Sequence, residues 1–296
     1  GKNNPVIKNN SVNISEIKRF SIEGSGKKDY ISKVFIDSKK RCWIGTYGSG
    51  LFSIEMKHLA EASKEKLNIL PVEKYSGNSI KNKNISNKFI TDIAEDEHGN
   101  LWIGTFGGGL NYYNRSNESF TYFRTDSKNS SSISSDYIKS VYIDKASNLW
   151  VGTYTGGLEK YSSLKNKFNV YKNVPDDESS LKSNLITAIF QDKDGILWIG
   201  TRTGLNKFDR KKSKCDLFVY GSKELVNDPS NLIRAICEDN NKRLWIGTHA
   251  GIQGFDKMRN RFIPLPNKSL SEILVKTAIR ALLFEGGNIL CIGTAN

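Results

Sequence analysis

Hydrophobic positions along this chain recur in a fixed order: an apolar strand-like run, an acidic residue, a short polar turn, a run such as "LWIGT", and a glycine-rich step. In residues 137–171, "YIKSVYID" is rich in β-branched and aromatic residues and ends at Asp144, the boundary composition of a strand. The turn residues "KASN" reverse the chain into "LWVGT". A third strand, "GLEKY", leaves the Gly156-Gly157 turn, and "KFNVYKN" supplies a fourth after "SSLKN". Four short strands in a meander predict one propeller blade.

The block repeats from end to end. "CWIGTYGSGL" starts at Cys42, "LWIGTFGGGL" at Leu101, "LWVGTYTGGL" at Leu149, "LWIGTRTGL" at Leu197, "LWIGTHAGI" at Leu244, and "LCIGTAN" at Leu290. Their centres, Trp43, Trp102, Trp150, Trp198, Trp245 and Cys291, are spaced by 59, 48, 48, 47 and 46 residues, a period of blade size. The expected fold is all-β: a single β-propeller domain over residues 1–296, built of four-stranded antiparallel blades. Six copies also argue against a phosphate loop, because none is followed by the Gly-Lys-Ser/Thr such a loop needs. Gly107, Gly108 and Gly109 are read as a turn between second and third strands.

The last repeat stops after two strands, "TAIRALLFE" and "ILCIGT". A blade completed from both termini hides exposed sheet edges, so residues 5–23 are expected to pair with residues 277–294, giving six blades with one shared. The alternative is part of a seven-bladed ring. The longer first repeat carries "MKHLAEASKEKL", residues 56–67, whose helix formers predict a short helix at the rim.

Two repeated features have structural explanations. Asp37, Asp96, Asp144, Asp192, Asp239 and Glu285 precede the centres by six residues, at tight turns where a carboxylate bonds backbone amides two residues on. The tryptophans supply large apolar area for packing one blade on the next. Cys42 and Cys291 occupy apolar places of the motif and read as small core residues. The four cysteines have no metal or disulfide spacing, and His58, His98 and His249 stand far apart, so neither metal nor cofactor is expected.

The chain has 44 Lys and Arg against 31 Asp and Glu, a formal charge of +13. The charge is scattered, without a basic helix or long basic run, which reads as a solvated surface and not as a nucleic-acid interface. No stretch approaches the roughly 20 apolar residues of a membrane span. Membrane attachment would come only through segments outside this chain.

Candidate chemistry lies where the repeats differ. Five residues before each turn acid stand Ser32, Thr91, Lys139, Thr187, Arg234 and Arg280, a polar column at the start of the strand nearest the axis. Directly after each Gly-Thr stand Tyr47, Phe106, Tyr154, Arg202, His249 and Ala295. From these the candidate ligand-binding set is Tyr47, Phe106, Lys139, Tyr154, Arg202, Arg234, His249 and Arg280, an aromatic arc facing a basic arc at the axial mouth. Aromatic faces suit sugar rings, and guanidinium forks suit carboxylates, sulfates or phosphates. A carbohydrate or anionic small ligand is therefore expected. Catalysis needs a positioned acid or base, for which only His249 and the axial arginines offer themselves, and the expectation is a protein that is not an enzyme.

"DEHGNLWIGTFGGGLNYY" from Asp96 and "DKDGILWIGTRTGLNKF" from Asp192, each joined to segments like "SISSDYI" or "SLKSNLI", resemble the two-component regulator propeller repeat. The resemblance implies an extracellular or periplasmic ligand-sensing propeller of a membrane-anchored bacterial receptor: a histidine kinase, hybrid regulator or diguanylate cyclase. It implies glycan oligosaccharides as a ligand class, and it is compatible with a homodimer formed through the parent receptor. A protein-interaction or dimerisation scaffold without a small ligand is the alternative.

Overall fold

The computed structural model describes residues 21–22, 30–58, 69–70, 72–75, 83–162, 167–222, 227–263, 277–285 and 289–294. Five four-stranded antiparallel meanders follow one another. The first comprises Ile31–Ile36, Arg41–Thr46, Leu51–Glu55 and Glu73–Tyr75. The second is Ile90–Glu95, Leu101–Thr105, Leu110–Asn114 and Ser119–Phe123. The third is Ile138–Ile143, Leu149–Thr153, Leu158–Ser162 and Lys167–Tyr171. The fourth is Ile186–Gln191, Leu197–Thr201, Gly204–Asp209 and Lys214–Phe218. The fifth is Ile233–Glu238, Arg243–Thr248, Gly251–Asp256 and Arg261–Ile263. A sixth sheet pairs Ile279–Glu285 with Ile289–Thr294. The first strand of each sheet touches the first strand of the next, so these strands line the axis.

The core lies between sheets. Trp150 and Leu158 of the third sheet pack on Ile186, Leu197, Ile199 and Phe208 of the fourth, and the same arrangement joins each neighbouring pair. Each buried tryptophan removes a large apolar area from water, worth roughly 1.5–3 kcal/mol. The motif glycine two residues later faces the same neighbour. A Cβ on Gly45, Gly104, Gly152, Gly200 or Gly247 would lie 2.6–2.7 Å from the Cγ2 of Ile90, Ile138, Ile186, Ile233 or Ile279 on the next sheet. An isoleucine knob thus enters a glycine hole at every seam. Gly200→Ala is expected to cost about 1–3 kcal/mol through overpacking. Gly293→Ala, whose nearest contact is Ala281 Cβ at 3.3 Å, is expected to change stability by less than about 0.5 kcal/mol. Denaturant titration of the two variants checks the contrast, and equal effects would refute the seam.

Five of the six turn acids bond backbone amides as the spacing predicts, and the side chain of the sixth, Glu285, lies outside the described residues. Asp37 accepts the amides of Lys39 and Arg41 and the Trp43 indole N–H at 3.0, 2.8 and 2.8 Å. Asp144, Asp192 and Asp239 take Trp150, Trp198 and Trp245 in the same way, at 3.0, 2.8 and 3.1 Å. Asp96 holds the amides of His98 and Asn100. A basic residue from the following blade then clamps three of these carboxylates: Arg115 on Asp37, Arg210 on Asp144 and Lys257 on Asp192, at 2.6, 2.6 and 2.9 Å. Burial pushes the Asp37 and Asp144 carboxyls up, but the indole, amide and guanidinium bonds outweigh it and both titrate below the usual carboxylate range.

Three expectations meet different outcomes. Of the terminal pairing, residues 5–20 and 23 lie outside the described residues, while Ser21–Ile22 pairs in parallel with Ile69–Leu70 and not with the last sheet. Cys291 is exposed, not core, because no further sheet covers the last one among the described residues. Residues 56–58 are helical, and the rest of the expected rim helix lies outside the described residues.

Candidate functional site

The polar column is a column of β-bulges. Pairing of the first and second strands shifts register between Ile31 and Lys33, Ile90 and Asp92, Ile138 and Ser140, Ile186 and Ala188, Ile233 and Ala235, and Ile279 and Ala281. The extra residue in each is Ser32, Thr91, Lys139, Thr187, Arg234 or Arg280. A bulge leaves one residue outside the ladder and re-aims its side chain. Each sheet therefore offers one such residue at the mouth end of its axial strand.

On one side these residues gather positive charge. Arg234 Nη2 lies 3.4 Å from His249 Nδ1. Burial, then Arg234 and Arg280, hold the Lys139 amine below the ordinary lysine range. Burial and Arg280 likewise depress Arg234, whose Nε is buried without a hydrogen-bond partner. Ser32 Oγ and Thr91 Oγ1 are also buried and unpartnered, whereas Thr187 Oγ1 bonds the Ile233 carbonyl. Among the described residues no carboxylate forms an ion pair with Lys139, Arg234 or Arg280. Like charges held together in partial burial favour an anion between them.

The opposite side is aromatic and more extensive than the motif positions alone indicate. Tyr47 stacks on Tyr30 at 5.2 Å and meets Phe89 at 4.8 Å and Phe106 at 6.3 Å. Phe106 in turn meets Tyr137 at 4.9 Å and Tyr154 at 5.8 Å. The backbone sets this ladder, because the amides of Tyr47, Phe106 and Tyr154 donate to the carbonyls of Tyr30, Phe89 and Tyr137. Lys139 joins the two halves, its Nζ 5.2 Å from the Phe106 ring centre and 5.5 Å from that of Tyr154.

Seven of the eight expected residues, Tyr47, Phe106, Lys139, Tyr154, Arg234, His249 and Arg280, are linked by these contacts and repulsions. Arg202 stands exposed at the matching register of the fourth blade, outside this linked set. Tyr30, Phe89 and Tyr137 were not expected. Their signal is the residue before each axial strand, aromatic in the first three repeats but Leu185, Leu232 and Ala278 in the others.

The glycines behave as turn residues. The amides of Gly107 and Gly109 donate to the Asp136 carbonyl of the next blade, leaving no cradle for a phosphate. Gly109 has φ +76°, and a Cβ there would sit 2.2 Å from the Phe123 carbonyl oxygen. Elsewhere, Asp192, Asp194 and Glu238 converge within metal-ligand distance, but the Lys257 ammonium occupies their centre at 2.9, 3.0 and 2.5 Å. A cavity of about 1170 Å³ lies at the rim between the fourth and fifth blades, lined by Phe218, Tyr220, Arg261 and Phe262. It is lined by outer strands away from the axial mouth, where Lys182 and Arg261 share the lining with Glu178 and Asp216.

Fold and site together define a β-propeller whose repeated scaffold carries an unrepeated, half-aromatic and half-basic axial mouth. Four segments, residues 84–107, 132–155, 180–203 and 227–250, match the model of the two-component regulator propeller. Comparison with curated proteins finds no match. Among solved structures, the chain resembles the extracellular domain of BT3049 of B. thetaiotaomicron, assigned as a hybrid two component system. The identity is 22% over 90% of this chain and 32% of that one, with TM-score 0.71. The extracellular domain of BT4673 from the same organism follows at 20% identity, 96% and 35% coverage, and TM-score 0.68. Virginiamycin B lyase from Staphylococcus aureus shares the fold at 13% identity, 91% and 78% coverage, and TM-score 0.62. The chain thus spans about a third of the two extracellular domains, and at these identities the likeness speaks for the fold.

Proposed function

We propose that this propeller is the extracytoplasmic ligand-sensing domain of a membrane-anchored bacterial signalling receptor, and that it binds an anionic ligand, such as an acidic or sulfated saccharide, at the axial mouth. The observation that carries this reading is the convergence of Lys139, Arg234 and Arg280 without a paired carboxylate, opposite a continuous aromatic ladder. A ligand with an anionic group and a flat apolar face satisfies both halves at once. The family of the repeats and the extracellular neighbours support the sensory and extracytoplasmic parts. No helix among the described residues is long and apolar enough to cross a membrane.

The mouth is read as a binding site and not a catalytic one: His249 lies beside a guanidinium and not beside a nucleophile. Scaffolding is the second reading, favoured by the exposed apolar residues Ile31, Val34 and Ile36 on one face of the first sheet. Screening soluble acidic glycans by thermal shift identifies a ligand, since binding to the native state alone must stabilise it. The Arg234→Ala/Arg280→Ala double variant is then expected to bind at least about tenfold more weakly, the loss of one or two charged hydrogen bonds, with a shallower salt dependence and an unchanged fold. Undiminished affinity by calorimetry would place the site elsewhere.

A further inference from the structure

We propose that Lys139 is a carbonyl-reactive amine, which captures aldehydes or ketones bearing an anionic group as a reversible imine. The proposal rests on the axial mouth being an anion site, and adds a covalent step to it.

Three features of the geometry converge on Lys139. It is the bulged residue of its strand, between Ile138 and Ser140, so its side chain is released from the alternation of the sheet and directed at the mouth. Its Nζ rests against the faces of Phe106 and Tyr154 and has no carboxylate partner among the described residues. Arg234 and Arg280 are close enough to repel its ammonium. Most surface lysines are protonated, hydrated point charges. Desolvation beside other cations is the environment that makes a lysine amine nucleophilic toward carbonyls. Burial and the two guanidiniums depress its proton affinity, while the ring faces favour the ammonium.

The same guanidiniums supply the docking step. A carboxylate or phosphate held by Arg234 and Arg280 brings a nearby carbonyl carbon to the amine, while the rings of Phe106 and Tyr154 flank its apolar part. The free amine adds its lone pair to the carbonyl carbon, and the oxygen takes up the proton leaving nitrogen to give a carbinolamine. Loss of that oxygen as water forms the C=N bond. Amine plus carbonyl gives imine plus water, with no oxidant or reductant, and hydrolysis reverses it.

The test uses the chain as it stands, with pyridoxal 5′-phosphate as probe because it joins an aldehyde, a flat ring and an anion. Borohydride delivers hydride to the imine carbon and fixes the adduct, and peptide mapping by mass spectrometry ranks all lysines by labelling rate. Lys139 is expected to label several-fold faster than the exposed lysines, because a desolvated amine beside other cations keeps a larger free-amine fraction. Lys139→Arg, which keeps the charge but not the nucleophile, should abolish that fast label alone. Inorganic phosphate should slow it, and the double arginine variant should slow it for pyridoxal phosphate but not for pyridoxal.

Labelling of Lys139 at the rate of exposed lysines overturns the proposal. If inorganic phosphate nevertheless raises the melting temperature, the anion site stands and only the imine falls. If phosphate has no effect on stability either, both fall. Fast labelling of Lys139 that ignores phosphate and the arginines supports the reactive amine and removes the anion reading.

Discussion

Replacing Trp198 with alanine is expected to lower the unfolding free energy by about 3–5 kcal/mol, the range for truncating a buried tryptophan. The side chain is 1% exposed and, beside Leu205 of its own sheet, packs on Ile233, Leu244 and Phe255 across the seam between the fourth and fifth sheets. Its indole N–H also donates to Asp192, a carboxylate shared with Lys257 of the fifth blade. Truncation therefore opens a cavity and removes one bond from a buried carboxylate at once. Trp102→Ala should cost less. Trp102 is 8% exposed, and the turn acid of its blade bonds backbone amides and Asn100 and not the indole. Chemical denaturation of the two variants checks the order, and equal losses would show that the indole bond contributes nothing.

Glu159→Gln should stabilise the protein at pH 8 and leave it almost unchanged at pH 5. Glu159 is fully buried where the second, fourth and fifth blades carry Asn111, Asn206 and Gln253. Burial drives its pKa up to about 7, although the Ser134 hydroxyl and amide donate to the carboxylate at 2.7 and 3.1 Å. A folded-state pKa above the unfolded one means that the native state binds the proton more tightly. This group's contribution is therefore most favourable below about pH 4.5 and is lost as pH rises through about 7. A shift of that size is worth roughly 3 kcal/mol. A glutamine, which cannot ionise, escapes the loss, so the difference in melting temperature between variant and parent should grow from pH 5 to pH 8. A constant difference would mean that the carboxylate does not titrate in this range.

The scaffold was legible because every blade solves the same packing problem with the same residues. Trp, turn Asp, Gly-Thr and the apolar axial strand each announce themselves several times over. The axial column was legible for a related reason: a bulge fixed by the repeat leaves one position per blade free to vary, and Lys139, Arg234 and Arg280 stand out against Ser32, Thr91 and Thr187. What escaped depends on contacts between residues distant in sequence. Arg115 reaches Asp37 across 78 positions, and nothing local to either predicts the pair. Tyr30, Phe89 and Tyr137 precede their strands where loops ordinarily vary, so their alignment into one ladder required the blades to be set side by side. Cys291 occupies a core register, but whether that register is covered depends on a neighbour that its own repeat does not encode.

The two ends of the sheet series are chemically complementary. At one end Ile31, Val34 and Ile36, 55%, 54% and 52% exposed, take the place of side chains that other sheets press into their predecessors. At the other end Gly293 is exposed, with Ala281 of its own sheet as its nearest neighbour among the described residues. Male and female surfaces on one molecule are a heterologous pair. Such a pair is satisfied when the two ends of a series meet each other or when copies couple head to tail.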